Sequence, residues 1–452
     1  MADDGPRAVP PEPRYPRPGV AWGIVAALFV AYIFSFIDRM IIGLLVEPIK
    51  ADMGLSDTQI SLLQGMAFAL FFSIAGLPIG RLIDRAPRMR VVAAGIALWS
   101  IMTALCGAVT SYWQFFVARM GVGVGEAVLS PAAYSIISDS FPRRRLGLAM
   151  GVYGLGSAIG AGLAFMIGAV VITLVTTADA IVLPLFGVLK PWQFAFVCAG
   201  LPGLMVALLF LLLPEPAREG IADHTPPPVV PLGEVIGHVG ARSGLFWSIF
   251  LGVAAINFSV LGSISWLPAM LIRAFGLEMA EAGYLAGALL ILGGLIGMIG
   301  GGMLMDRFGE GAPHARMRFC AWATVAGTVG AILFPLVPSL SGFAVAFTLF
   351  FAAAAVTVGA APSALQQLTP NRMRATVSAG YVFVINLVGL GLGPTATAML
   401  GDQLFPFQSG IRYAIAIVAP LGYLIAALFF FRAAQLAAAE WHSTGAATPR
   451  DA

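Results

Sequence analysis

The sequence predicts an all-α integral membrane protein of twelve transmembrane helices, arranged as two six-helix halves. Three observations carry that prediction. Of the 452 residues, 59% are hydrophobic and only 10% charged, against about 25% charged in an ordinary soluble domain, so there is too little charge to dress a water-facing surface. Apolar windows of about 20 residues, the length that crosses the hydrocarbon core of a bilayer, recur along nearly the whole chain. A charged pattern that closes the second window returns at the close of the eighth, which divides the chain in two.

Taken in order, the spans are expected at 19–47, 58–80, 90–110, 113–138, 146–172 and 192–213. After a break they continue at 245–272, 279–303, 316–336, 340–367, 375–400 and 408–433. The polar, proline-rich stretch Met1 to Pro18 reads as a tail. The apolar run behind it is too long for a signal peptide and should stay as the first span. The 53 glycines, unfavourable for helices in water, suit packed spans, because small residues let helices approach closely in lipid. Cys106, Cys198 and Cys320 lie far apart inside apolar runs, with neither metal-binding nor redox spacing. The apolar stretch between Thr173 and Trp192 leaves two readings open, a loop on the membrane surface or an extension of its neighbouring span.

Orientation follows from lysine and arginine, which collect in cytoplasmic loops. With the N-terminus inside, nineteen of the 25 fall in cytoplasmic segments and four, Lys50, Lys190, Arg273 and Arg412, outside. Both termini are therefore expected in the cytoplasm. Residues 214–244, with Pro226, Pro227 and Pro228, form the longest polar stretch and the natural linker between bundles 19–213 and 245–436; 437–452 is a second tail. The repeat supports this division: Gly80-Arg-Leu-Ile-Asp84-Arg85 ends the second span and Gly302-Met-Leu-Met-Asp306-Arg307 the eighth.

Four charged residues lie deep in apolar spans: Asp38 and Arg39 in the first, Arg119 and Glu126 in the fourth. Each costs at least ~2.5 to 3.5 kcal/mol to insert and should pair or face a wet cavity. They mark either a functional site or a structural cluster that fixes helix packing. Arg119 and Glu126 are seven apart, about two turns, and share one face. At about 1.5 Å per residue from the outer ends, Arg119 lies roughly 10 Å deep, Asp38 roughly 14 Å and Glu126 roughly 20 Å. Asp38 is thus expected between a cation and a carboxylate. Burial and Glu126 oppose its ionisation whereas Arg119 favours it, so a conformational change that alters the pairing would release or capture a proton. Arg39, turned about 100° from Asp38, is left to hold a substrate anion or Glu126.

At the cytoplasmic face, Gly80, Asp84, Arg85 and Arg88, then Asp139 and Arg145, and Asp306 with Arg307 in the other half, are candidates for a gate of charge pairs. The other reading is a topology-setting positive loop. Gly154, Gly156, Gly160 and Gly162 in the fifth span and Gly389, Gly391 and Gly393 in the eleventh are read as packing surfaces, with helix flexing as the alternative. Four histidines in cytoplasmic segments, and no metal cluster, nucleophile motif or phosphate loop, argue against an enzyme and against any cofactor. With no ATP site, energy must come from an ion or substrate gradient.

Two halves of six spans, the Gly-x-x-x-Asp-Arg-x-x-Arg loop of residues 80–88, its partial repeat, and Arg119-x-x-x-Gly123-x-Gly125 resemble the major facilitator superfamily over about residues 19 to 436. Within it, Phe36-Ile-Asp38-Arg39, Gly123-Val-Gly-Glu126-Ala and Leu213-Pro-Glu215-Pro-Ala-Arg218 are similar to the spinster family, whose members are linked to export of lysolipids and sphingolipids. The resemblance implies Asp38 as proton carrier with Arg119 as partner, and Glu126 with Arg39 as groups of a central cavity. The fifth span lacks the Gly-Pro pair of proton-coupled drug antiporters, which argues against a multidrug exporter. The leading expectation is a monomeric, proton-coupled transporter of an amphiphilic lipid, with no nucleic acid partner. A carrier of a small organic anion or sugar-like solute, with Arg39 and Arg119 as its anion site, comes next, and a non-transporting receptor third. The charge asymmetry favours the first: the deep charges belong to the N-terminal half, while spans seven to twelve offer Asn257, Ser263, Thr357, Tyr381 and Asn386.

Overall fold

A backbone in lipid has no water to bond, so it spans the bilayer as helices that satisfy their own donors and acceptors. The computed structural model describes residues 15–175, 181–183, 187–218, 230–308, 313–370 and 373–443; the side chains of some helical residues, Asp84, Arg143, Arg144, Asp306 and Arg307 among them, fall outside that set. Among the described residues, twelve helices are long and apolar enough to cross a membrane. In the N-terminal half they are Pro18–Leu44, Asp57–Gly76, Arg88–Cys106, Tyr112–Ser138, Leu148–Val171 and Pro191–Leu212. In the C-terminal half they are Ser243–Ile264, Met279–Met305, Pro313–Leu336, Leu340–Leu368, Thr376–Leu404 and Gly410–Trp441.

Several helices are interrupted where the sequence gives a reason. The fourth span breaks after Glu126 and resumes at Leu129, because Pro131 cannot donate to the carbonyl of residue 127. The second, eighth and eleventh spans carry π-helical turns, Leu62–Met66, Ile296–Gly300 and Asn386–Leu392. Within the apolar stretch after the fifth span, Ile181–Leu183 pairs antiparallel with Gly187–Leu189, as their β-branched residues favour, so these residues do not extend the neighbouring helix. The linker contains a short helix, Leu232–Ala241, with Val235 buried on one side.

The two halves meet at the end of the bundle away from Pro18 and Ser443, here the far end; the opposite one is the terminal end. At the far end glycines let backbones touch across the interface. A Cβ on Gly162 would stand 2.6 Å from the Gly287 carbonyl, and one on Gly65 2.3 Å from the Leu390 carbonyl. Charges close the rim. Arg273 of the C-terminal half donates from Nε to Glu47 at 2.6 Å and from both terminal nitrogens to Asp57 at 2.5 and 2.9 Å. Lys50 also pairs with Asp57. Asp402 accepts from the Thr58 N–H at 2.9 Å and its hydroxyl at 2.7 Å. Toward the terminal end, Gly76, Gly80, Gly151 and Gly154 in one half and Gly300, Gly302 and Gly380 in the other have open space beside them among the described residues. The bonds that seal the halves together thus lie at the far end, while these terminal-end glycines stand clear of neighbours.

The seal yields a test. Removing Arg273 in Arg273→Ala leaves Glu47 and Asp57 with Lys50 alone and weakens the far-end contact. A cysteine placed at the fully buried Ser61, beneath the seal, should then be alkylated faster by a membrane-impermeant maleimide. The gain should be about tenfold for each 1.4 kcal/mol of seal lost. An unchanged rate means the ion cluster does not hold the far end shut.

Candidate functional site

The four deep charges come together in the N-terminal half, but not in the pairing their depths suggest. Glu126 is the hub of one pair: its Oε2 accepts from Arg39 Nε at 2.5 Å and from the Ser35 hydroxyl at 2.6 Å. Its side chain is fully buried, whereas that of Arg39 keeps 13% of its surface. Arg39 is therefore the more exposed member of the pair, with the carboxylate behind it. Its guanidinium carbon lies 4.7 Å from the ring centre of Phe68, 5.1 Å from Phe36 and 5.2 Å from Phe72. Three aromatic faces thus hold a cation whose terminal nitrogens make no hydrogen bond among the described residues. With Nε paired to Glu126, the terminal nitrogens of Arg39 remain as donors.

Arg119 is buried completely, and it does not clasp the Asp38 carboxyl. Instead its terminal nitrogen donates to the main-chain carbonyl of Asp38 at 3.0 Å, and its Nε to the carbonyl of Leu63 at 3.2 Å. The second terminal nitrogen of Arg119, the Oδ1 of Asp38 and the Oε1 of Glu126 are buried without a hydrogen-bond partner. Asp38 does lie among the charges expected around it, with Glu126, Arg119 and Arg39 all close enough to act on it. The reason for the altered pairing is geometric: Arg119 spends its donors joining the first and second spans through their main chains. Its partner at Leu63 exists because the second span widens there into the π turn, where the Ala67 N–H bonds back five residues to Leu62.

The glycines of the fourth span explain how the charges get so close. A Cβ on Gly123 would stand 2.5 Å from the Phe68 carbonyl, and one on Gly125 2.7 Å from the Trp99 N–H. Gly123 thus admits the second span and Gly125 the third. Gly160 in the fifth span does the same for Ile33 and Phe36 of the first. Of the C-terminal polar groups, Asn257, Asn386, Ser263 and Thr357 each donate to a carbonyl of their own helix, and none of them carries a charge.

At the terminal end, Arg88 is buried and joins parts of one half. It donates to Ser135 at 2.9 Å, to Asp139, to the Pro216 carbonyl at 2.7 Å and to Glu215 at 3.1 Å. Glu215 also accepts from the backbone N–H groups of Arg88 and Met89 at 2.9 and 3.0 Å, capping the start of the third span as a negative charge should. Burial pushes the Glu215 carboxyl up, but these two N–H groups and the Arg88 guanidinium outweigh it, and the group is held below its ordinary value. Arg218 bonds the carbonyls of Ile83 and Ala86, both at 2.8 Å. Arg85 and Arg145 are exposed and Gly80 has open space around it; Asp84, Asp306 and Arg307 carry side chains outside the described set.

Sequence reasoning missed Glu215 as the partner of Arg88, and missed the far-end charges Glu47, Asp57, Arg273 and Asp402. It found Arg273 only as an outer-loop charge. The available signal was that these residues flank the spans facing the interface between the halves.

Comparison with known proteins bears on this geometry. The family model described as Major Facilitator Superfamily matches residues 28–394. A protein of Mycolicibacterium smegmatis described as an MFS-type efflux pump is 31% identical over 86% of each chain. A probable L-galactonate transporter of Escherichia coli is 26% identical over 65% of this chain and 64% of its own. Among solved structures, a bacterial homologue of the human lysosomal transporter Spinster, in an inward-facing and unoccupied conformation, superimposes with a TM-score of 0.74 at 26% identity. The match covers 94% of this chain and 99% of that one.

Two substitutions test the arrangement. Gly123→Ala puts a methyl against the Phe68 main chain and should destabilise the purified protein by about 1 to 3 kcal/mol, read as a lower thermal unfolding midpoint; no change would mean the two helices are not so close. Glu215→Gln should lower stability near neutral pH. Because the folded carboxyl titrates below its ordinary value, its contribution is present above that value and is lost as the pH falls through the folded one. The gap between variant and parent should therefore close on acidification.

Proposed function

This chain belongs to the major facilitator superfamily, and on that premise we propose that it is a proton-coupled secondary transporter of an amphiphilic lipid, a lysophospholipid or sphingoid-type lipid, working by alternating access. The observation that carries the reading is the lopsided gap. Arg39, backed by Glu126 and caged by Phe36, Phe68 and Phe72, offers an anion site on one wall. The C-terminal half offers neutral groups, Asn257, Asn386, Ser263 and Thr357, each of which spends a donor within its own helix. A charged headgroup suits the first wall and an acyl chain the second, with about 0.8 kcal/mol gained per methylene removed from water.

Lysine and arginine cluster on the terminal side, which we assign to the cytoplasm, so both termini lie there and the open gap faces inward, as in the similar spinster homologue. The protein is taken as a monomer of a bacterial inner membrane. Asp38 is the proposed proton carrier. Its free Oδ1 and the free nitrogen of Arg119 are both buried, and ionising the carboxyl makes that nitrogen its natural partner. Proton loss would therefore draw Arg119 off its main-chain acceptors. Arg85, Asp84, Asp306 and Arg307 remain proposed contacts of a terminal-end gate that would form only when this end closes.

The second reading, a small organic anion such as a sugar acid, has the E. coli relative in its favour. Against it, Arg119 is fully buried and engaged, which leaves Arg39 as the more accessible of the two deep arginines. Uptake into proteoliposomes separates the readings. With an imposed pH gradient, Asp38→Asn should lose proton-driven uptake of a lysophospholipid yet keep counterflow exchange; normal gradient-driven uptake by this variant removes Asp38 as carrier. Glu126→Gln should alter headgroup preference more than chain-length preference. Uptake of galactonate or of a cationic drug, without binding or competition by single-chain lipids, would favour the other relatives' substrates over ours.

A further inference from the structure

We propose that the π turn Leu62–Met66, with Gln64 and Gly65 on its inter-half side, is a positioning element that ties the Asp38–Arg119 pair to the far-end seal. Two sets of contacts meet in this one turn. From behind, Arg119 holds the Leu63 carbonyl at 3.2 Å while holding the Asp38 main chain at 3.0 Å. From the front, the next two residues reach the other half: Gln64 Nε2 lies 3.4 Å from the Ser265 carbonyl, and Gly65 abuts the Leu390 carbonyl. Leu390 itself sits in the π turn Asn386–Leu392 of the eleventh span, so two irregular turns pack main chain against main chain.

A π turn has one residue more than the helix around it and can revert or migrate by a single step of bonding. What fixes it here is a buried cation. If Arg119 moves toward the Asp38 carboxyl, the Leu63 carbonyl loses its donor in a setting where an unmet acceptor is unfavourable. The turn then relaxes, and Gln64 and Gly65 lose their register against Ser265 and Leu390. The groups that act on the Asp38 carboxyl are Arg119 and Glu126 from the fourth span, Thr103 and Cys106 from the third, and Arg39 from its own helix. The inference rests on the proton-coupling reading for what drives the turn, but not for what the turn holds.

The test uses the full chain in lipid nanodiscs, its three cysteines replaced, with spin labels at Ala51 and Phe407, which are exposed at the far end of the two halves. Distances are measured at acidic and alkaline pH. In the parent, the short distance should dominate at acidic pH and give way in part to a longer one at alkaline pH. Gln64→Leu should lose the short-distance population at both pH values and show a smaller pH response. Gly65→Ala, a single methyl placed 2.3 Å from the Leu390 carbonyl, should shift the distances the same way and carries the test if the first variant does not fold. Distributions of both variants that superimpose on the parent at each pH overturn the proposal. If both variants open the seal while the parent shows no pH response, the positioning role stands and proton coupling at Asp38 fails.

Discussion

The structure depends on the burial of Arg119. A guanidinium at that depth needs acceptors, and the chain supplies two of its three nitrogens with main-chain carbonyls from two neighbouring helices. One of those carbonyls belongs to a turn that departs from α-helical bonding. Gly123, about one turn away on the same helix, lets the second span come close enough to supply it. The arginine therefore does more than balance charge: it sets where the first, second and fourth spans cross. Arg39 and Glu126 are then placed by that crossing, since Phe68 lies within 5.8 Å of the Arg119 guanidinium carbon and within 4.7 Å of that of Arg39.

The two ends of the bundle are closed by different means. At the far end, ion pairs and glycine contacts run between the halves, and Arg273 supplies three of the bonds. At the terminal end, the best-ordered charge network, around Arg88, stays within the N-terminal half and ties it to the first residues of the linker. One end can therefore open without loss of order within a half. That division of labour is what alternating access requires of a fold built from two bundles.

Much of this was legible in the sequence. Span number and the two-half plan followed from apolar windows and a repeated loop, and the four deep charges stood out because lipid makes such residues rare. The glycines of the fifth and eleventh spans were readable as packing surfaces, and Gly160, Gly162, Gly389 and Gly393 abut neighbouring helices, whereas Gly154 has open space beside it. Pairing was less accessible. Depth along a helix places Asp38 between Arg119 and Glu126, but it cannot tell that Arg119 prefers main-chain acceptors, because that choice depends on a π turn with no local sequence mark. Nor do span-flanking residues such as Glu47, Asp57 and Glu215 differ in sequence from solvated loop charges; what makes them partners is the approach of helices far apart in the chain.

Proton movement accompanying lipid movement is the central claim, and it can be observed directly. Proteoliposomes loaded with a pH-sensitive dye, and held without any imposed gradient, would receive a lysophospholipid on one side. The account predicts a change in internal pH that tracks lipid transfer and is absent from protein-free vesicles. Lipid transfer with no pH change, or a pH change evoked by galactonate and not by the lipid, would contradict it.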